Sequence, residues 1–307
     1  MTSDPAVAVP TVRDLLVSVT RAVRSGVEAR WIVASALGLP SAELTARLDD
    51  DTPATVVAAV HAIVDRCRAG EPLQYALGTW AFRTLELSVD RRVLIPRPET
   101  EHLVDVALGE LAHQATMEPG GLVAVDLGTG SGAIALSMAA EWPAHGTSEL
   151  SVWATDVSAD ALEVFGHNLA SLMAARPDTA RSVHQAHGPW LDALPHELAG
   201  RLHLVASNPP YVSEAEWERL DAAVRDHEPR RALVAGPTGL EALEEILRSA
   251  RAWLVPGGSV VLEIAPAQAH PIADAAAEMG YVDVLVRPDL ARRPRVMVGR
   301  WPGTATP

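Results

Sequence analysis

The sequence predicts an α/β fold in which a mainly parallel sheet of seven strands follows a small helical domain and a β-hairpin linker. Three observations support this fold class. Apolar residues recur at helical spacing up to about residue 69, short alternating patterns follow near residue 80, and strand and helix patterns alternate after Gly120. Near-continuous apolar strands separated by helices are typical of a parallel sheet covered by helices on both faces.

The first part of the chain is predicted to be helical, because Val12, Leu15 and Val19 share one helix face and the pattern resumes over residues 54–67. Two short strands flanking residues 90–92 then predict a hairpin, which a proline-containing segment closes at residues 96–98. We therefore expect three segments. They are a helical domain at 1–78, a hairpin linker at 79–98 and an α/β domain at 99–307.

The domain at 99–307 is predicted to alternate strands with helices. The predicted strands are residues 122–126, 151–156, 182–186, 202–207 and 259–264. The helical stretches between them include residues 133–141, 160–174 and 240–254. Residues 281–287 and 295–300 predict an edge hairpin that runs antiparallel to the rest of the sheet.

Composition excludes several classes of function. All 25 basic residues are arginine, so neither a P-loop lysine nor a Schiff-base lysine is present. Cys67 is the only cysteine and the 11 histidines lack metal-ligand spacing, so we expect no disulfide and no metal site. A net charge of −14 is unfavourable for binding a nucleic-acid backbone. Without a basic leader or an apolar run of about 18 residues, we expect a cytoplasmic protein that does not bind membranes.

A glycine-rich loop follows the first predicted strand of the sheet, where residues 126–132 read Asp-Leu-Gly-Thr-Gly-Ser-Gly. Glycines at a strand-to-helix turn let the backbone approach a ligand and leave helix N–H groups free to bind it. The pattern also satisfies a relaxed dinucleotide fingerprint, so an NAD-linked oxidoreductase stays open. Asp126 favours S-adenosylmethionine (SAM), because a carboxylate suits an ammonium or sulfonium group better than a pyrophosphate.

Asp156 ends the second predicted strand of the sheet, where a carboxylate can accept both hydroxyls of a ribose. The alternative is that Asp156 caps the next helix, although Ser158 can do so equally well. We favour ribose binding because the glycine loop precedes it.

The fourth predicted strand leads into Asn208-Pro209-Pro210-Tyr211. The prolines make this loop rigid, and it presents mainly carbonyl acceptors. Such a loop suits methylation of a planar NH₂ group, whose two N–H bonds would meet the Asn208 side-chain oxygen and the Pro209 carbonyl while Tyr211 covers its plane. The alternative is a proline turn whose asparagine satisfies local backbone groups.

With both loops present, the chain resembles the HemK/PrmC family of protein-glutamine N5-methyltransferases, which modify peptide-chain release factors. The motifs that carry the resemblance are residues 72–78, the segment Val93-Leu94-Ile95-Pro96-Arg97-Pro98-Glu99-Thr100-Glu101, and the downstream landmarks at residues 227–229, 232–233, 239–240 and 256–258. The resemblance covers nearly the whole chain. It implies a Rossmann-like class I SAM-dependent methyltransferase domain.

The resemblance also implies roles for individual residues. The residues that would contact SAM are Gly128, Thr129, Gly130, Ser131, Gly132, Asp156, Trp190 and Asn208. Asp126, which the glycine-loop argument assigns to SAM binding, is added to them. The target glutamine, in the Gly-Gly-Gln loop of a release factor, would contact Asn208, Pro209, Pro210 and Tyr211. Among these, Asn208, Pro209 and Tyr211 would be catalytic. The expected partner is a class I release factor, and the helical domain would help to dock it. We expect the enzyme to be a monomer.

One departure from the family pattern concerns adenine binding. The family usually has an acidic residue just before the tryptophan that aligns with Trp190, whereas this chain reads His187-Gly188-Pro189. The acid is either missing or displaced to Asp192. Two further alternatives stay open, namely an adenine-N6 methyltransferase that uses the same loop and a SAM-binding release-factor partner without catalytic activity.

Overall fold

The computed structural model describes residues 9–117, 120–146, 148–180 and 182–303. The beginning of the N-terminal segment, in which we expect no leader, and the end of the C-terminal tail lie outside these ranges. Contacts divide the chain into two compact units. One is Met1–Gly78 with Ala222–His227, and the other is Thr79–Asp221 with Glu228–Pro307.

The first unit is helical. Its main helices are α1 (Val12–Val23), α2 (Gly26–Leu37), α3 (Ala54–Arg68) and α4 (Leu73–Leu77). Thr11 caps α1 in a capping box, in which the Thr11 hydroxyl oxygen accepts the Asp14 N–H and the Asp14 carboxylate accepts the Thr11 N–H. The buried faces of the helices form one apolar cluster that includes Leu15, Ile32 and Val60. The helical pattern predicted up to residue 69 is therefore confirmed, although the assignment of 1–78 to substrate docking stays a prediction.

The second unit contains a two-stranded hairpin followed by the main sheet. Its strands are β1 (Thr79–Phe82), β2 (Leu85–Ser88), β3 (Leu122–Leu127), β4 (Leu150–Asp156), β5 (Val183–His187), β6 (Leu202–Ser207), β7 (Val212–Ser213), β8 (Val234–Gly236), β9 (Leu254–Glu263), β10 (Val282–Pro288) and β11 (Pro294–Arg300). The remaining helices are α5 (Pro98–Met117), α6 (Ala133–Glu141), α7 (Ala159–Ala175), α8 (Pro177–Ala180), α9 (Glu214–Trp217), α10 (Ala222–Arg225), α11 (Glu241–Ala250) and α12 (Ala269–Glu278), of which α10 belongs to the first unit.

The main sheet has seven strands in the order β10-β11-β9-β6-β3-β4-β5. The five strands from β9 to β5 are parallel to one another. β11 is antiparallel to β9, and β10 is antiparallel to β11, so β10 runs in the same direction as the five parallel strands. Side chains alternate between two cores along the central strands. Ala124 lies in one core with residues of α5, α6 and α7, while Val125 lies in the other with residues of α11 and α12. The predicted mainly parallel α/β sheet of seven strands is confirmed.

Three predictions are wrong in detail. The edge hairpin was expected to run antiparallel to the rest of the sheet, but only β11 does so. The hairpin turn lies at residues 83–84 instead of 90–92, because Thr79 pairs with Ser88 and Phe82 with Leu85. Asp90 instead forms a local turn in which its carboxylate accepts the Arg92 N–H. The helix predicted over 240–254 ends at Ala250, since Leu254 already pairs with Leu202 in the sheet.

A search of the described residues finds no helix with the length and apolar character that a membrane span requires.

Candidate active site

The site lies where β3, β4 and β6 end side by side at one edge of the sheet. Leu127 pairs with Thr155 of β4 and with Ser207 of β6, and the Ser207 hydroxyl donates to the Leu127 carbonyl at 2.7 Å. Helix α6, which follows β3, packs in one core, and α11, which lies between β6 and β9, packs in the other, so the connections leave the sheet on opposite faces and a crevice forms between them. The glycine loop after β3 and the Asn208 loop after β6 therefore emerge next to each other.

The glycine loop depends on left-handed backbone at three positions. Gly128, Gly130 and Gly132 have φ of 69°, 55° and 88°. Gly132 also excludes any side chain on steric grounds, since an added Cβ would lie 2.7 Å from Cδ2 of Phe165 in α7. The predicted loop residues Thr129 and Ser131 have buried side chains, so the loop presents mainly backbone to the crevice.

Asp126 lies beneath the loop and is 0% exposed. Its Oδ2 accepts the Thr129 hydroxyl at 2.7 Å and the Ala135 N–H at 3.1 Å. Since Gly132 has no side chain with which to cap α6, Asp126 satisfies one of the free N–H groups of that helix. Burial raises the pKa of Asp126 to about 7, and the nearby Asp156 carboxylate adds to the shift. Among the described residues, Oδ1 has no hydrogen-bond partner.

Asp156, the last residue of β4, reaches the crevice. Its Oδ2 accepts the Gly130 N–H at 3.0 Å, and its Oδ1 accepts the Ser158 N–H at 2.8 Å. Ser158 itself caps α7 by accepting the Ala161 N–H, which is the capping role considered for Asp156. Burial raises the pKa of Asp156, while Arg231 opposes the shift. A carboxylate has about four acceptor positions, so Asp156 can still accept hydroxyls of a ligand.

A pocket of about 240 Å³ opens between the two loops. Of the residues predicted from sequence, it is lined by Gly128, Gly130, Asp156, Trp190, Asn208 and Pro210. Leu94 of the linker motif lines it too, and further lining residues that were not predicted to belong to the site include Arg92, Ala161 and Arg231. The remaining predicted residues do not line this pocket, namely Asp126, Thr129, Ser131, Gly132, Pro209 and Tyr211.

Trp190 lies beside the glycine loop with a left-handed backbone, at φ 44°. An added Cβ at Gly128 would be 3.6 Å from the Trp190 ring, so ring and loop form adjacent parts of one wall. Pro189 lines the pocket next to it, whereas Asp192 is exposed and lies outside the pocket. Displacement of the acidic residue to Asp192 therefore does not bring a carboxylate into the pocket.

The Asn208 loop is held from outside by backbone hydrogen bonds. The N–H groups of Tyr211 and Val212 both donate to the Leu233 carbonyl, at 3.1 and 2.9 Å. The buried Gln268 side chain donates to the Tyr211 carbonyl at 2.9 Å. Burial raises the pKa of Tyr211 to about 12, so its phenol stays protonated. The loop is thereby fixed in place before any ligand binds.

Two of the sequence landmarks contact each other. The Glu228 carboxylate, whose side chain is 1% exposed, accepts hydrogen bonds from the Arg97 guanidinium and from the Ile95 N–H. This places the start of α5 against the pocket, where Asn208 Nδ2 donates to Thr100 Oγ1 at 3.2 Å. The flanking Glu99 pairs with arginines 293 and 295, and Glu101 accepts the Arg83 N–H.

Several supporting residues were missed by sequence reasoning. Buried Asn168 of α7 donates to the Ser131 carbonyl at 2.8 Å and accepts the Ser88 N–H at 2.7 Å, so it links the glycine loop to β2. Glu263 and Gln268 are also buried polar residues near the Asn208 loop. Glu263 had a usable signal, because a carboxylate at the end of a predicted parallel strand is placed at the ligand-binding edge. Asn168 and Gln268 had none.

Within the ranges that the structure describes, no three His, Cys, Asp or Glu side chains are grouped so that they could hold a metal. Cys67 lies half-buried on α3, and burial raises the pKa of its thiol. The polar groups that line the pocket include backbone amides and carbonyls, the Asp156 carboxylate, the Asn208 amide and the guanidinium groups of Arg92 and Arg231.

The amino-acid sequence is similar to those of known proteins. Residues 21–78 match the family described as PrmC N-terminal domain. The release factor glutamine methyltransferase of Burkholderia pseudomallei is 37% identical over 279 residues, which are 90% of this chain and 92% of that protein. The release factor glutamine methyltransferase of Streptomyces coelicolor is 39% identical over 239 residues, which are 78% and 79% of the two chains.

Among solved structures, the release factor-specific protein-(glutamine-N5) methyltransferase of Alicyclobacillus acidocaldarius is 27% identical, with a TM-score of 0.39. The similarity covers 67% of this chain and 93% of that chain.

Proposed function

The chain belongs to the release factor glutamine methyltransferase family, and from this membership we propose that it transfers a methyl group from SAM to the side-chain amide nitrogen of a release-factor glutamine. The resemblance of its motifs to that family is confirmed. One observation supports the proposal at the level of the site. The glycine loop and the Asn208 loop line the same pocket, although strands β4 and β5 lie between the two motifs in the sequence.

The pocket residues fit SAM. Gly128 and Gly130 allow close approach of the ligand to the backbone, and Asp156 has free acceptor positions for the ribose hydroxyls. The half-buried Trp190 offers an aromatic surface beside them. The Asp156 carboxylate, which lies beside the glycine loop, favours a positively charged group of the ligand on that side of the pocket. When bound, SAM supplies an electrophilic methyl group on a positively charged sulfur.

The Asn208 loop is suited to an amide nucleophile. An amide nitrogen is a poor nucleophile because its lone pair is delocalised into the carbonyl group. In the proposed complex, the Asn208 side-chain oxygen and the Pro209 carbonyl accept the two N–H bonds, and Tyr211 covers the amide plane. These acceptors hold the nitrogen in line with the methyl group, and orientation of this kind can contribute up to about 7–11 kcal/mol.

In the reaction, the nitrogen lone pair forms the bond to the methyl carbon while the carbon–sulfur bond breaks and its electron pair stays on sulfur. The nitrogen then loses one proton to solvent, which leaves an N-methylated glutamine and S-adenosylhomocysteine. The polar side chains act as hydrogen-bond acceptors throughout, so no covalent enzyme intermediate is needed.

The proposal includes the finer expectations about the partner. The target is the glutamine of the Gly-Gly-Gln loop in a class I release factor, and residues 1–78 contribute to docking that factor. The enzyme acts as a monomer in the cytoplasm and does not contact nucleic acid directly.

The direct test is to incubate the purified protein with methyl-labelled SAM and a release factor. The matched control is the same factor with its Gly-Gly-Gln glutamine changed to alanine. We expect label on the first factor and none on the second. Label on neither, with SAM binding retained in calorimetry, would overturn the proposal. It would direct attention to an adenine substrate or to a partner without catalytic activity.

A further inference from the structure

A chain of buried hydrogen bonds continues behind Asn208. Asn208 Nδ2 donates to Thr100 Oγ1 at 3.2 Å, and the Thr100 hydroxyl donates to Glu263 Oε2 at 2.7 Å. Thr100 is 3% exposed and Glu263 is 0% exposed. The three residues come from the loop after β6, the first turn of α5 and the end of β9, so tertiary packing alone brings them together.

The buried carboxylate of Glu263 sets the donor-to-acceptor direction of these hydrogen bonds. A carboxylate can only accept hydrogen bonds, so the single hydroxyl proton of Thr100 points to Glu263. Thr100 then has only lone pairs to offer to Asn208, and these can pair with the Asn208 NH₂ group but not with its oxygen. The Asn208 oxygen is thereby left to face the pocket, which Asn208 lines.

We infer that Glu263 and Thr100 are positioning residues, which orient the Asn208 amide so that its oxygen accepts a hydrogen bond from the substrate nitrogen. The inference rests on the proposed function and adds two residues to its machinery. An inverted Asn208 amide would place two N–H donors against the N–H donors of the substrate amide. That arrangement would offer no hydrogen bond to the reacting nitrogen.

The burial of Glu263 makes this arrangement costly for the fold. In the described part of the chain, Glu263 Oε1 has no hydrogen-bond partner, and a buried unpaired polar atom of this kind reduces stability. The charged and titratable groups around Glu263 are Arg97, Glu99, Tyr211 and Arg295. Burial is the main cause that raises the pKa of Glu263 to about 7, and the two arginines oppose it.

Protonation of Glu263 would remove the constraint. A neutral carboxyl group can donate its proton to Thr100, whose own hydroxyl can then donate to the Asn208 oxygen and invert the amide. The wild-type turnover number should therefore fall as the pH decreases through about 7, the pKa of Glu263. Asp126 has a similarly raised pKa near the SAM side of the pocket, so the two groups must be separated by substitution.

The test uses methyl transfer to a release factor at saturating SAM, measured across pH for wild type, Thr100→Val, Thr100→Ser and Glu263→Gln. We expect Thr100→Val to lower kcat about 10- to 100-fold, because the Asn208 amide loses its directing acceptor. Thr100→Ser keeps the hydroxyl and should retain kcat within about threefold of wild type. Both Thr100→Val and Glu263→Gln should lose the acid-side fall in kcat.

Three results would overturn the inference. They are wild-type kcat in Thr100→Val, equal losses in the Ser and Val variants, or an acid-side fall that persists in Glu263→Gln. If Glu263→Gln does not fold, the Thr100 pair and the pH profile of Thr100→Val still decide. Absence of methyl transfer by the wild type would instead contradict the proposed function, so the two failures are distinguishable.

Discussion

Removal of the Glu228 carboxylate should destabilise the fold more than removal of an exposed carboxylate. The Glu228 side chain is 1% exposed and pairs with Arg97, which is 31% exposed. Loss of one partner from a buried ion pair costs about 3–5 kcal/mol, because the other charge is left without compensation. Since water can partly solvate Arg97, we expect Glu228→Ala to cost about 3 kcal/mol, at the lower end of that range.

Urea unfolding followed by tryptophan fluorescence measures this cost. The matched control is Glu163→Ala, which removes the 68% exposed partner of Arg92 and should cost no more than about 1 kcal/mol. A double-mutant cycle with Arg97→Ala should give a coupling energy of about 2 kcal/mol with Glu228. The reasoning is refuted if Glu228→Ala costs no more than the control, or if the effects of the Glu228 and Arg97 substitutions simply add.

Three further predictions follow from the loops around the pocket. Gly132→Ala places a Cβ 2.7 Å from Phe165 and should cost about 2–4 kcal/mol in urea unfolding, clearly more than Gly130→Ala, where the space is open. Asp126 has a folded pKa of about 7 against 3.8 for an ordinary aspartate, so the free energy of unfolding should decrease as pH rises between these values. This decrease should be smaller in Asp126→Asn, and an unchanged profile would contradict the assignment. Asp156→Ala should weaken SAM binding about 10- to 100-fold in calorimetry, whereas unchanged affinity would remove Asp156 from the ligand site.

Much of the sheet could be predicted because its signals are local. Residues 133–141 form the predicted helix, since the apolar run begins just after Gly132 and ends before Pro143. Residues 202–207 form the predicted strand, which reads as a continuous apolar run and is buried at every position. The antiparallel edge pair was also recognisable, because two short strand patterns follow each other near the end of the chain.

The predicted position of the hairpin turn was wrong because this region contains two turns. Asp90 has the stronger local turn signal, and it does form a turn. The hairpin turn itself lies at Arg83, which adopts a left-handed φ of 51° and is held there by its ion pair with Glu141. That ion pair joins residues 58 positions apart, so no local pattern could indicate it.

The residues of the site also divide into those that a local sequence pattern indicates and those that only tertiary contacts bring together. The glycine loop and the Asn208 loop are contiguous in sequence, so their motifs could be read directly. Thr100, Glu263 and Glu228 act through partners more than 100 positions away, and their contacts exist only after the sheet and α5 have assembled. Thr100 lies inside a motif that carries the resemblance, but the local pattern of that motif does not indicate its contacts with Asn208 and Glu263.

The central claim is that Asn208 orients the amide nitrogen that takes the methyl group. The most direct test compares single-turnover methyl transfer to a release factor by wild type and Asn208→Ala, with SAM saturating for each. The account predicts a loss of at least about 100-fold in the transfer step, while calorimetry still detects SAM binding and urea unfolding shows a folded protein. A transfer rate in Asn208→Ala equal to that of the wild type would contradict the account.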